Sequence, residues 1–118
     1  MIFVFGSNRE GRHGKGAALE ARLKHRAIYG QARGRQGNSY AIVTKELRAG
    51  HPKVTLAEIA LEVGEFILYA IDHPEEEFQV TRIGCGLAGF REEDIKLLFS
   101  SNEHNCPSNC HLPKGWRE

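Results

Sequence analysis

Residues 6–18 read Gly6-Ser7-Asn8-Arg9-Glu10-Gly11-Arg12-His13-Gly14-Lys15-Gly16-Ala17-Ala18. They follow Ile2-Phe3-Val4-Phe5, an apolar run of the length of a buried strand, and lead into the helix-forming Ala17-Ala18-Leu19-Glu20-Ala21. The order is strand, glycine-rich loop, helix. Such a loop brings backbone N–H groups close to an anion, and the helix that follows adds a partial positive charge at its N-terminus. Glycine lacks the Cβ that would hold a ligand away. Arg12, His13 and Lys15 add cationic or switchable donors. The spacing is G-x-x-G-x-G, neither the P-loop nor the dinucleotide fingerprint. Two readings stand side by side: a phosphate or pyrophosphate cradle, and a long connection whose glycines serve turns.

Outward from this loop, the chain alternates. A helix is expected over about residues 15–25, and residues 28–38, rich in glycine and polar side chains, form a loop. Tyr40-Ala41-Ile42-Val43-Thr44 is a short strand of β-formers ending at Lys45. Thr55 and Glu58 fit a capping box, and Leu56, Ile59, Ala60, Val63, Ile67, Ala70 and Ile71 recur at helical spacing until about Asp72, before Pro74. Phe78-Gln79-Val80-Thr81-Arg82-Ile83 reads as a third strand, followed by a second glycine-rich turn, Gly84-Cys85-Gly86-Leu87-Ala88-Gly89. Glu92, Glu93 and Asp94 suit the first turn of a short helix reaching Phe99. Residues 100–118 form an irregular tail with a short strand near 110–112.

Alternating strands and helices predict a single α/β domain over residues 1–118, with three α/β/α layers and a mixed sheet. Ligands in such sheets bind beyond the carboxyl ends of strands. The loop at 6–16, Thr44-Lys45 and the turn at 84–89 each follow a predicted strand directly, so the unusual chemistry collects at three strand ends.

The 118 residues carry 16 basic and 15 acidic side chains, a net charge of +1, so no general attraction to nucleic acid or membrane is expected. The distribution is uneven. Arg9, Arg12, Lys15, Arg22, Lys24, Arg26, Arg33, Arg35 and Lys45 face only Glu10 and Glu20 in the first 45 residues. A positive face near the loop follows, unless these are solvated surface charges. No signal or membrane-spanning segment is evident, which predicts a cytoplasmic protein. Three cysteines do not suggest a disulfide framework.

Three of these motifs, in order, resemble the macrodomains, specifically the branch containing the terminal-ADP-ribose glycohydrolases. Ile83-Gly84-Cys85-Gly86-Leu87 is similar to the IGCGL turn of that branch. Ser7-Asn8 with Arg12-His13-Gly14-Lys15-Gly16-Ala17-Ala18 resembles its first ligand loop, roughly S-E-D-x-R-M-G-x-G-I-A. Tyr40-Ala41-Ile42-Val43-Thr44-Lys45 resembles its strand ending in I-T-K. The match covers residues 2 to about 99, and short proteins of phage and bacterial origin with an FGSN … GCGLAG signature are the expected relatives.

The resemblance implies recognition of ADP-ribose or an ADP-ribosylated macromolecule, nucleic acid included as a modified substrate. Gly84, Cys85, Gly86, Leu87, Ala88 and Gly89 would wrap the diphosphate and distal ribose, with Ile83 at the start of the turn. Ser7, Asn8, Gly14, Lys15 and Gly16 would line the distal ribose, beside Thr44. Lys45 stands where the family's reactive lysine attacks the anomeric carbon; the alternative is a strand-end lysine that binds phosphate or nothing. Phe90 would pack beside a ribose or base, or fill the core under the turn. The resemblance implies no cofactor.

Two departures shape the expectation. Ala88 occupies the place of the aspartate that follows G-C-G-L in those glycohydrolases, so no acid/base carboxylate is expected there. The branch also carries an earlier strand whose end supplies an aspartate to adenine, and residues 1–5 leave no counterpart. A non-catalytic nucleotide-binding module is therefore the main rival. An RNA- or protein-interaction module using the Arg-rich residues 22–35 is another.

Other candidates are weaker. His13 is read either as a proton donor beside a ligand phosphate or as a solvated loop residue. His104, Cys106, Cys110 and His111 cluster in the tail, but adjacent Cys110 and His111 would point apart on a strand, so a metal-free tail is expected. Cys85 has no base nearby in sequence. Trp116 is expected to anchor the tail against the sheet or a helix.

Overall fold

A computed structural model of the chain describes residues 1–100 and 106–117; His104 of the tail cluster lies outside them. The strands are β1 (Ile2–Asn8), β2 (Gly34–Gln36), β3 (Ser39–Lys45), β4 (Phe78–Val80) and β5 (Cys110–His111), and the helices are α1 (Gly16–Lys24), α2 (Leu56–Asp72) and α3 (Glu92–Ser100). The sheet runs β2-β3-β1-β4-β5. It is parallel throughout except for β2, which pairs antiparallel with β3.

β1 is central because both of its faces are apolar. Ile2 and Val4 enter one core, with Ile42, Ile59, Val63, Phe66 and Ile67. Phe3 and Phe5 enter the other, with Ala18, Ala21, Ala27 and Ala41. This period-two division places α1 on one face and α2 with α3 on the opposite face, the three layers expected. Phe66 centres the larger core, its ring 5.1 Å from Tyr40, 5.5 Å from Phe78 and 6.5 Å from Phe99. Burying one such ring is worth about 3 kcal/mol.

The capping box forms: the Thr55 side chain accepts from the Glu58 N–H at 3.2 Å, and the Glu58 carboxylate accepts from the Thr55 N–H at 3.0 Å. α2 ends at Asp72, where Nδ2 of buried Asn109 lies 3.1 Å from the Ala70 carbonyl and 3.1 Å from that of His73. Trp116 is the tail's anchor. It is buried, 5.6 Å from the Phe99 ring, and its indole N–H donates to Glu92.

Three expectations about strands need correction. The first strand, read as residues 2–5, continues to Asn8, because Gly6, Ser7 and Asn8 keep pairing along β3. Residues 34–36, read as loop, are a strand. β4 is also shorter than the expected 78–83, because the Ile83 N–H turns back to the Thr81 carbonyl at 2.8 Å. Among the described residues, no helix is long and apolar enough to cross a membrane.

Candidate ligand cleft

β1 and β4 are neighbours whose continuations part. The chain leaving β1 passes to α1 on one face, and the chain leaving β4 passes to α3 on the other. Their loops therefore diverge and open a crevice at the carboxyl edge of the sheet, the place where α/β folds bind ligands. A cleft of about 770 Å³ occupies it, which suits a ligand of nucleotide size.

The three sequence motifs meet here. From β1 and its loop come Gly6, Ser7, Asn8, Arg12, Gly14 and Lys15, with Gly16, Ala17 and Ala18 from the start of α1. β3 supplies Thr44 and Lys45, with Leu47 beyond it. The third wall is Thr81, Arg82, Ile83 and the turn residues Gly84, Cys85, Gly86, Leu87 and Ala88. Gly6, Ala17, Ala18, Leu47, Thr81 and Arg82 are additions to the ligand residues expected, and Arg12, read from the loop as a cationic donor, joins them. Leu47 lies two residues past the I-T-K-like strand end, outside every motif, and carried no signal.

Three expected residues do not line the cleft. His13 is fully buried, stacked edge-on to Phe5 at 5.2 Å. Its Nε2 sits 3.1 Å from the Gln31 carbonyl and 3.1 Å from Gln36 Oε1. The Ile28 N–H donates to the same Oε1, so that atom is an acceptor and His13 Nε2 carries the proton. Both sequence readings of His13, ligand donor and solvated residue, are corrected: it is a core residue tying the loop to β2. Phe90 packs against the larger core beneath the turn and is the filler, not a ribose neighbour. Gly89 closes the turn, donating to the Gly86 carbonyl at 3.0 Å, with φ of 79°.

The polar side chains on the walls are turned into the protein. Asn8 Nδ2 donates to the Arg12 carbonyl at 2.7 Å, and its Oδ1 accepts from the Arg12 N–H at 2.8 Å. The Ser7 hydroxyl donates to the Asn8 carbonyl, Thr44 to Ser7 and Thr81 to Val4. The Cys85 thiol donates to the Ile83 carbonyl at 3.3 Å. Burial pushes that thiol's pKa up, with Arg82 opposing more weakly, so Cys85 is a poor nucleophile.

What remains free is donors. Lys15 caps α1 without a side-chain bond to it, and the N–H groups of Gly16, Ala17 and Ala18 have no acceptor among the described residues. Nor do those of Gly84, Gly86, Leu87 and Ala88. Lys15 and Lys45 lack an acidic partner among the described residues, while Arg12 pairs with Glu10 and Arg82 with Glu92. Among the described residues, no carboxylate lines the cleft. Glu46, next to Lys45, is held away by Arg48 and Arg9, which depress its pKa well below the carboxylate range.

The glycines divide into two kinds. A Cβ at Gly11 would lie 2.5 Å from the Gly30 backbone, and its φ is 69°, so the fold demands glycine there. Gly14 and Gly86 have ordinary φ and nothing within 4 Å of an added Cβ. They line the cleft and answer to no internal contact; their small size leaves room for something outside the chain.

The Arg-rich segment is tied down at its C-terminal end, whereas Arg22, Lys24 and Arg26 have no acidic partner among the described residues. Arg33 is bound to Glu62 and Arg35 to Glu76 and Tyr69. In the tail, Cys110 is buried and His111 exposed on opposite sides of β5, with His111 paired to Glu77. Among the described residues, no group of three or more histidine, cysteine or acidic side chains is arranged to hold a metal ion.

No family model and no curated protein matches the chain. Two solved structures of Bacteroides thetaiotaomicron proteins share its fold. One, a protein of unknown function, has a TM-score of 0.56 at 19% identity over 86% of this chain and 80% of its own. The other has a TM-score of 0.56 at 20% identity, covering 94% and 88%.

Proposed function

We propose that the cleft binds ADP-ribose or a related nucleotide diphosphate, and that the chain is a cytoplasmic relative of the macrodomains. One observation carries this: a nucleotide-sized crevice at the divergence of β1 and β4 is walled by uncommitted N–H groups, with Lys15 and Lys45 and no acid. Backbone amides at a helix start and a glycine turn suit a diphosphate. Gly14 and Gly86 leave its oxygens room to approach.

Lys45 extends the reading to chemistry. Once its ammonium has given a proton to water, the Lys45 amine attacks the anomeric carbon of an ADP-ribosyl group; the C–N bond forms as the bond to the leaving group breaks, and that group departs with the electron pair and takes a proton from water. Water then releases ADP-ribose and restores the amine. With no carboxylate in the cleft to protonate the leaving group, turnover is slow and favours ester or nucleobase linkages. The same lack of a carboxylate favours a second reading, a binding module that performs no hydrolysis.

The test is release of ADP-ribose from serine-, glutamate- and DNA-linked substrates, beside ADP-ribose binding by thermal protection. Binding with slow release supports the Lys45 chemistry. Binding without release on any substrate leaves the binding module. Neither binding nor release removes both.

A further inference from the structure

The outer side of α1 carries charge that the cleft does not use. Arg22 and Lys24 stand in its last turn, where cations complement the helix dipole. The acid of α1, Glu20, lies 3.8 Å from His25. The dipole explains the sign of these side chains, but not what lies beside them. Tyr29 is 57% exposed, and the Arg22 guanidinium lies over its ring, 5.5 Å from the centroid. Ile28, next to it, is exposed as well. A planar cation over a ring that stays in water is a platform. It offers charge to a phosphate and a π-face to an unpaired base.

This platform is joined to the cleft in two ways. The Gly30 N–H donates to the Gly11 carbonyl at 2.8 Å, so the residue after Tyr29 is fastened to the residue before Arg12, which lines the cleft. Lys15, also on the cleft wall, precedes Arg22 by about two turns along the same side of α1. Cations therefore stand at both ends of a continuous surface. With a net charge of +1 for the whole chain, the attraction for a polyanion is confined to this side.

We infer that the side of α1 bearing Arg22, together with Tyr29, binds single-stranded nucleic acid: the cations hold phosphates and a base stacks on the Tyr29 ring. A duplex keeps its bases stacked on one another and presents no free face to the ring. Acyl chains of a bilayer present no flat face either. The platform stands whatever the cleft binds.

Fluorescence anisotropy tests it with a labelled oligothymidylate of about 20 nucleotides and a duplex of the same length, beside sedimentation with phosphatidylserine vesicles. The single strand is expected to bind at about 1–100 μM in low salt and to weaken as salt rises. Tyr29→Ala should weaken it about tenfold with the salt slope kept, and Tyr29→Phe should bind as wild type does. Arg22→Ala should weaken it and make the slope shallower by about 0.7. Both positions are exposed, so melting temperatures should hold, and thermal protection by ADP-ribose should be unchanged in all three variants. No strand binding at about 100 μM protein, or strand binding untouched by Tyr29→Ala, overturns the inference. So does a duplex bound as tightly as the single strand, or vesicle binding that both alanine variants abolish. None of these results bears on the cleft, which the ADP-ribose protection reads separately.

Discussion

Asn8 clamps Arg12. Its amide donates to the Arg12 carbonyl at 2.7 Å and accepts from the Arg12 N–H at 2.8 Å, so one buried side chain closes the glycine-rich loop on itself. Asn8→Ala leaves both Arg12 backbone groups unpaired and should cost about 2 kcal/mol, read from the denaturant midpoint. Ligand affinity should fall as well, because the loop no longer holds Gly14 and Lys15 at the cleft. Unchanged stability would mean that the loop closes by other means.

The two kinds of glycine predict opposite outcomes. Gly11→Ala puts a Cβ into the Gly30 backbone at positive φ and should destabilise by more than about 2 kcal/mol. Gly14→Ala meets nothing within 4 Å and should leave stability unchanged or raise it by up to about 1 kcal/mol. Thermal unfolding of the two variants checks the division.

Acid should weaken the scaffold beside Lys45. Arg48 and Arg9 hold the Glu46 pKa down, and the Thr55 N–H and Arg9 do the same to Glu58. A carboxylate with a depressed folded-state pKa contributes stability that is present above its unfolded value, about 4.3, and is lost as pH falls through the folded value. Stability should therefore decline below about pH 4–5, and Glu46→Gln should flatten that decline. The same slope in wild type and Glu46→Gln would count against the network.

Lys45→Ala should abolish ADP-ribose release while changing ligand affinity by less than about tenfold, roughly 1.4 kcal/mol. Ala88→Asp places a carboxylate on the cleft wall and should raise the rate. Borohydride should trap an adduct on Lys45. Full release by Lys45→Ala would remove the lysine from the chemistry.

Much of this was legible in local pattern. The capping box at Thr55 and Glu58, the burial of residues 2–5, and the end of β3 at Lys45 could be read because each depends on neighbours in sequence. The rest depends on distant partners. β2 reads as loop because Gly34-Arg35-Gln36 contains no β-former; it is a strand because it pairs along β3. His13 looks solvated in a run of glycine and charge, and is buried because Gln31 and Gln36, eighteen and twenty-three residues on, supply its acceptors. Arg33 and Arg35 look free until α2 brings Glu62 and the segment after it brings Glu76. In the same way, Asn8, Ser7 and Thr44 looked like ligand side chains. Their commitment to backbone carbonyls shifts the donor role to the peptide groups, which no residue pattern shows.

The most direct measurement is calorimetric titration of ADP-ribose into the wild-type protein and Gly86→Val. The site predicts a micromolar dissociation constant for the wild type, about −7 to −8 kcal/mol. Valine at position 86 has open space and ordinary φ, so the melting temperature should hold while affinity drops at least about tenfold, its side chain standing where a phosphate approaches. Wild-type protein that gives no binding heat and no thermal protection at millimolar ADP-ribose, or a folded Gly86→Val that binds as wild type does, would contradict the account.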